Sequence, residues 1–241
     1  MTDSSTFVGR MRRRVRIAQI NSAIMHSLFS LGLTVFGLYL LAACTYCQNN
    51  TIAGYLLAAS LSLGGIWWFV VVIRRVRRQR TPEGDPLRIQ FQQFGDPEDI
   101  AREVDRDFTD QPFRMHRIYI GERWLCYAWK TQVRVCRIDT LVWAYMERVR
   151  HKLNYIIPIG TTNQMLAWNR DGSAAALPVR RKKNVVLALE ALHHAAPWLY
   201  IGYSEVLKES WNNDRAELIA GVDHRHNEEL LRRKLATQQQ S

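Results

Sequence analysis

Residues 17–73 contain no Asp, Glu, Lys or Arg, a run of 57 residues in a chain whose charged fraction is 23%. So long an uncharged stretch leaves few folds open. A bilayer core about 30 Å thick takes roughly 20 apolar residues in a helix, because every backbone polar group must pair inside the segment. Two segments meet that requirement, 23–43 (AIMHSLFSLGLTVFGLYLLAA) and 52–73 (IAGYLLAASLSLGGIWWFVVVI). Only residues 44–51 separate them, so the two predicted spans are antiparallel neighbours and 23–73 forms a transmembrane hairpin.

Charge gives the hairpin a direction. Arg10, Arg12, Arg13, Arg14 and Arg16 precede the first span, Arg74, Arg75, Arg77, Arg78 and Arg80 follow the second, and the connection has no basic residue. Positive residues in short flanks stay on the cytoplasmic side, which predicts both termini inside. The same count explains the net charge of +11. Residues 1–80 carry +9 of it and residues 81–241 only +2, so the basicity belongs to the membrane flanks and no nucleic-acid partner is expected.

Within the hairpin, small residues let helix backbones approach. Gly54, Ala58 and Ser62 recur at four-residue spacing on the second span, with Gly32 and Gly37 as the matching surface on the first. His26, the one ionisable side chain of the uncharged run apart from thiols and phenols, falls near the cytoplasmic interface, where a solvated or capping role is expected. Leu41, Ala42, Ala43 and Cys44 fit a lipoprotein cleavage pattern, but the apolar stretch exceeds the ~7–15 residues of a signal core and a second span follows at once. Cys44 and Cys47 form a CxxC outside the soluble βαβ setting in which that motif does redox work. Asn49, Asn50 and Thr51 form a sequon of little weight so close to a membrane.

Residues 74–86 form a basic flank and a linker, in which TPEGDP stops the span helix. A cytoplasmic domain is predicted over 87–204, with a helical extension over 205–241. Asp96 is placed to cap a helix with Pro97 in its first turn and Ile100, Val104 and Phe108 along one face. Period-two patterning then predicts strands near 115–120, 124–129, 133–138, 141–148, 155–159, 164–169 and 174–178, with hairpin turns at Gly121-Glu122 and Asp171-Gly172. Leu141, Trp143 and Tyr145 are expected on one face. A helix over 183–194 carries Val185, Ala188, Leu189 and Leu192 as its apolar stripe. Seven antiparallel strands capped by one helix is the order of a pleckstrin-homology-like (PH-like) barrel or sandwich, so the fold class expected is a transmembrane hairpin plus a soluble α+β domain. Beyond it, helices are predicted at 206–211 and 214–220, then a charged helix with Glu228–Arg232 and Glu229–Arg233 pairs and a frayed TQQQS end.

Several stretches carry a resemblance to known proteins: FGDPEDIAREVDRDF (94–108), ERWLCYAW (122–129), DTLVWAYMERV (139–149), NRDGSAAALP (169–178) and PWLYIGYS (197–204), with Trp211. The chain resembles a group of bacterial membrane proteins of unknown function that have two spans and a cytoplasmic PH-like domain. That resemblance implies an architecture; it brings no catalytic residues.

No phosphate-cradling glycine loop, nucleophile elbow or HExxH helix occurs. His193 and His194 are adjacent, so they point about 100° apart on a helix and are read as surface or cap residues. His224 and His226 are a weak metal signal, and Cys126 and Cys136 are read as small side chains in a reducing compartment. No cofactor or metal is expected. Two basic clusters remain in the domain, Arg148, Arg150, His151 and Lys152, and Arg180, Arg181, Lys182 and Lys183. With Arg74, Arg75, Arg77 and Arg78, the second cluster is the candidate contact for anionic lipid, each basic residue near the leaflet being worth about 1 kcal/mol. The expected role is a non-enzymatic, membrane-anchored interaction module whose partner is the inner leaflet, a protein or another copy of the chain. The alternatives are a membrane-associated hydrolase or transferase that gathers Asp139, His151 and Asp171, and a small accessory subunit of a transporter.

Overall fold

The computed structural model describes residues 6–46, 52–109, 113–115, 117–129, 132–153, 157–179 and 181–239. These divide into two compact units, residues 1–97 with 130–132 and residues 98–129 with 133–241.

The first unit is built on α1 (Phe7–Tyr46) and α2 (Ile52–Arg80). Thr6 starts α1, its hydroxyl accepting from the Gly9 N–H at 3.0 Å. Forty residues make α1 about 60 Å long, twice a bilayer core, so its first turns extend well beyond the predicted span. Both helices are long and apolar enough to cross a membrane, and little of either apolar stretch is buried. Met25, Leu28, Phe29, Leu56, Leu63 and Trp67 are all exposed. A short 3-10 turn at Pro82–Gly84 and α3 (Pro86–Gln92) follow. Asp85 caps α3 by accepting from the Leu87 N–H at 3.1 Å, and its other oxygen lies 3.0 Å from Arg12 Nε, an ion pair that ties α3 to α1. Residues 74–80, expected as a flank, are the last turns of α2.

The α1–α2 seam is made of small residues. A Cβ added at Gly37 would lie 2.9 Å from the Ala58 carbonyl, and one at Gly65 would lie 3.0 Å from the Ser30 carbonyl. Ser30 donates across the seam to the Gly65 carbonyl at 2.5 Å. The contact therefore repeats one pattern on both helices, Ser30-Thr34-Gly37 against Ala58-Ser62-Gly65. Gly37, Ala58 and Ser62 lie where the spacing put them. Gly32 does not, because it faces open space; on α1 the second contact is made by Ser30 and Thr34, against Gly65 of α2.

The second unit starts with α4 (Pro97–Asp107), whose Ile100, Ala101 and Val104 are buried together with Phe108 just beyond it. Four strands, β1 (Phe113–Met115), β2 (Ile118–Ile120), β3 (Trp124–Trp129) and β4 (Gln132–Arg137), follow in sheet order β1-β2-β3-β4. After a 3-10 turn at Ile138–Thr140 come β5 (Leu141–Leu153), β6 (Ile157–Asn169) and β7 (Ala174–Val179), then α5 (Lys182–Ala195), β8 (Tyr200–Ile201), α6 (Glu205–Asn213) and α7 (Arg215–Gln239). The second sheet has the order β7-β6-β5-β8, with β8 parallel to β5. Val185, Ala188, Leu189 and Leu192 of α5 are buried, and α5 touches β1 and β2 of one sheet and β5, β6 and β7 of the other. Tyr127 of β3 links the sheets by donating to the Pro178 carbonyl at 3.0 Å.

Four expectations need correction. The sheets do not close into a barrel: they are two separate four-stranded sheets. The strand expected at 115–120 breaks into β1 and β2. Those expected at 155–159 and 164–169 are one long β6, since Gly160 pairs with His151 beside a bulge instead of making a turn; Tyr155 and Ile156 lie outside the described residues. Finally, 215–239 is a single helix. In it Glu229 pairs with both Arg233 (2.9 Å) and Arg232 (3.4 Å), while Glu228 faces His224 at 3.7 Å; Thr237, Gln238 and Gln239 remain helical.

Both faces of β5 are covered. Val142 and Ala144 are as fully buried as Leu141 and Trp143. On the Trp143 side, Trp168 lies opposite it in the register, and Trp211 of α6 packs over the pair with ring centroids at 6.4 Å and 5.3 Å. Leu218 and Val222 of α7 are buried in the same core.

Candidate functional site

The predicted lipid-contact residues are exposed. Arg74, Arg75, Arg77 and Arg78 occupy the last turns of α2; at 100° per residue they span roughly 160° of its circumference, a cationic band and not a stripe. Arg181, Lys182 and Lys183 are exposed at the start of α5, and Arg180 lies outside the described residues. The N-terminus of a helix carries partial positive charge and is stabilised by acids, with cations there costing about 0.3–1 kcal/mol each. Yet α5 has no acid in its first turn, and Arg181 at the cap position makes no capping bond. Among the described residues none of these three cations has a carboxylate partner. Among the described residues, nothing in the domain's own stability accounts for cations gathered there.

Asp139, His151 and Asp171 are not brought together. Asp139 is held by Arg137, Nε to Oδ1 at 3.1 Å and Nη2 to Oδ2 at 2.6 Å. Asp171 closes the β6–β7 turn by accepting from the Ser173 N–H at 2.7 Å, and the Ser173 hydroxyl first, then that N–H, lower its pKa. His151 bonds the Thr162 hydroxyl at 2.8 Å, ten residues along β5 from Leu141 and so about 30 Å from the end where both aspartates sit. The Arg148, Arg150 and His151 cluster is exposed at that far end; Lys152 is in β5 as well.

The remaining chemistry-bearing side chains have structural surroundings. Cys126 and Cys136 are free, buried thiols; burial raises the first well above its ordinary value and the second to about 11. His193 and His194 are exposed, and His226 stacks on Trp198 at 4.1 Å between centroids. Among the described residues no group of His, Cys, Asp or Glu is arranged to hold a metal ion. Cys47 and the sequon lie outside the described residues. In the first unit His26 lies 2.6 Å from the Ser22 carbonyl through Nδ1 and stacks on Trp68 at 6.3 Å. A carbonyl only accepts, so Nδ1 carries the proton, and the ring is oriented by its own helix and by α2.

Sequence reasoning missed Asp107. It ends α4 and accepts from the backbone N–H groups of Glu122 (3.0 Å), Arg123 (3.2 Å) and Trp124 (3.0 Å), locking the β2–β3 turn to the helix. Burial raises its pKa against the pull of those three donors. Gly121 is required beside it, since a Cβ there would strike the carboxylate. It missed too that Arg170 bonds both the Asp139 carbonyl (3.2 Å) and Asp223 (2.5 Å), fastening α7 to the sheet end. Only the turn glycine and the acid at the helix end signalled the first; the second joins residues over 80 apart and left no local signal.

Residues 96–211 match the model of a family described as a domain of unknown function, DUF6709. The match covers just under half of the chain, opens at the first residues of α4 and ends on Trp211, the ring that caps Trp143 and Trp168. No curated protein and no solved structure matches the chain.

Proposed function

We propose that the chain is a two-span protein of a bacterial inner membrane, with both termini cytoplasmic, whose PH-like C-terminal domain is a non-enzymatic interaction module docking on the anionic inner leaflet. The observation that carries this reading is the placement of Arg181, Lys182 and Lys183 at the positive end of α5, exposed and without carboxylate partners among the described residues. An anionic surface turns that local cost into attraction, at about 1 kcal/mol per basic residue. The two sheets with α5 against both support the PH-like assignment, and the arginine flanks support the orientation. The dispersal of Asp139, His151 and Asp171 argues against the hydrolase or transferase. A transporter subunit finds no support in a hairpin whose seam is filled by Gly37, Ala58 and Gly65.

The reading is tested in the full chain reconstituted into nanodiscs. Backbone hydrogen exchange over residues 182–188 slows when phosphatidylglycerol replaces half of the phosphatidylcholine, and charge reversal of Arg181, Lys182 and Lys183 to Glu abolishes the slowing. Equal exchange in both lipids would sink the docking. Orientation is read separately on intact spheroplasts, with a maleimide that cannot cross the membrane. Burial holds Cys126 and Cys136 as unreactive thiols, so Cys44 and Cys47 report the side on which the connection lies. Labelling only after lysis would reverse the topology.

A further inference from the structure

We propose that a cleft between α1 and α2, lined by His26 and Arg75 among others, binds the headgroup of one anionic phospholipid from the surrounding leaflet. The inference rests on the membrane-spanning reading of the hairpin. The cleft is half open, about 230 Å³ in volume, and lined among others by Gln19, Ser22 and His26 from α1 and Trp68, Val72 and Arg75 from α2. Its walls differ with depth. Arg75 lies just past the end of the uncharged run, and Trp68 is seven residues further in, about 10 Å along the helix axis. A phospholipid has the same gradient over that distance, from an ionised phosphate to glycerol and the first methylenes.

The charge is complementary. No acidic residue occurs in 17–73, and Arg75 makes no ion pair among the described residues. Its planar guanidinium fork matches two phosphate oxygens at once, which an ammonium does not. His26 supplies a second wall of the cleft, its ring held by Nδ1 on the Ser22 carbonyl at the depth of Trp68, where a lipid bound through Arg75 presents its glycerol backbone. The stack on Trp68 holds the ring in place. Size restricts what enters: the volume is below the ~300 Å³ at which sites begin to enclose whole small molecules, so the cleft takes a headgroup and leaves the acyl chains on the apolar outer face. A small headgroup with net negative charge, such as phosphoglycerol, meets these conditions.

The test is native mass spectrometry of the full chain released from nanodiscs of equal phosphatidylglycerol and phosphatidylcholine. The expected result is one phosphatidylglycerol retained in preference to phosphatidylcholine. His26→Ala and Arg75→Gln should each lower that preference by roughly fivefold, the loss of one basic or polar contact at a leaflet. Arg13→Gln, which removes the same charge from an exposed position on α1, should leave it unchanged. Equal loss in Arg13→Gln and Arg75→Gln would reduce the effect to surface charge and overturn the site. So would equal retention of the two lipids, displacement by millimolar inorganic phosphate, or a shift of Arg75→Gln from dimer to monomer with lipid unchanged, which would give the cleft to a second copy. A chain that does not enter the nanodisc overturns the spanning reading itself; one that enters and retains no lipid overturns only the site.

Discussion

The hairpin and the domain that follows it are packed by opposite means. In the hairpin the helices meet where side chains are smallest, at Gly37 and Gly65, with Ser30 bonding across the seam, while Phe29, Trp67 and Leu63 point outward. In the domain the largest side chains are innermost: Trp143 and Trp124 are at most 1% exposed. The difference is the one that the proposed membrane-spanning hairpin requires. Lipid gives no reward for burying apolar rings, so contact there depends on close backbone approach, whereas in water the buried aromatic area is the main driving force.

If that contrast holds, the two regions should fail in opposite directions. Truncation should hurt the domain most. Trp143→Ala removes a ring packed on Tyr145 at 4.4 Å and leaves the Gly202 carbonyl without its indole donor at 2.6 Å. A loss of about 3–5 kcal/mol is expected in a denaturant titration followed by near-UV circular dichroism. Enlargement should hurt the hairpin. Gly65→Leu should cost about 1–3 kcal/mol of α1–α2 association in mixed micelles, while Gly32→Leu, facing open space, should cost nothing. Equal effects at the two glycines would remove the seam.

Smaller effects sharpen the comparison within the domain. Asp107→Ala should cost about 1.5 kcal/mol, because three backbone donors lose a charged acceptor, and exchange at the Glu122, Arg123 and Trp124 amides should quicken. Glu229 is half-buried but both its partners are exposed, so Glu229→Gln, which weakens the pairs with Arg232 and Arg233, should shift stability by under about 1 kcal/mol in a thermal melt.

What could be read in advance tracks the range of the physics. The stripe Val185, Ala188, Leu189 and Leu192 repeats within one helix and was legible, as were the Asp171-Gly172 turn and the two apolar helices. The second half of the seam was not. Gly64 and Gly65 are adjacent and chemically identical, and only the rotation of α2 against α1 selects Gly65. The two-residue β8 is too short for any period to register. Trp211 looked like an isolated mark of resemblance because its partners, Trp143 and Trp168, are 68 and 43 positions away. Of the candidate site, the basic clusters were plain as composition, but their position at the wrong end of a helix dipole needed the start of α5, and the His26–Trp68 stack needed the helix pairing.

The covering of β5 by the C-terminal helices bears on how this domain can be inherited. The segment that matches the family model stops at Trp211, but the sheet beneath that ring is roofed further by Leu218 and Val222 and pinned by Asp223 to Arg170. A copy excised at the family boundary would carry an open aromatic face into water. The portable unit is therefore longer than the recognisable one, and a gene fusion that keeps only the recognisable part must bring its own helix to replace α7.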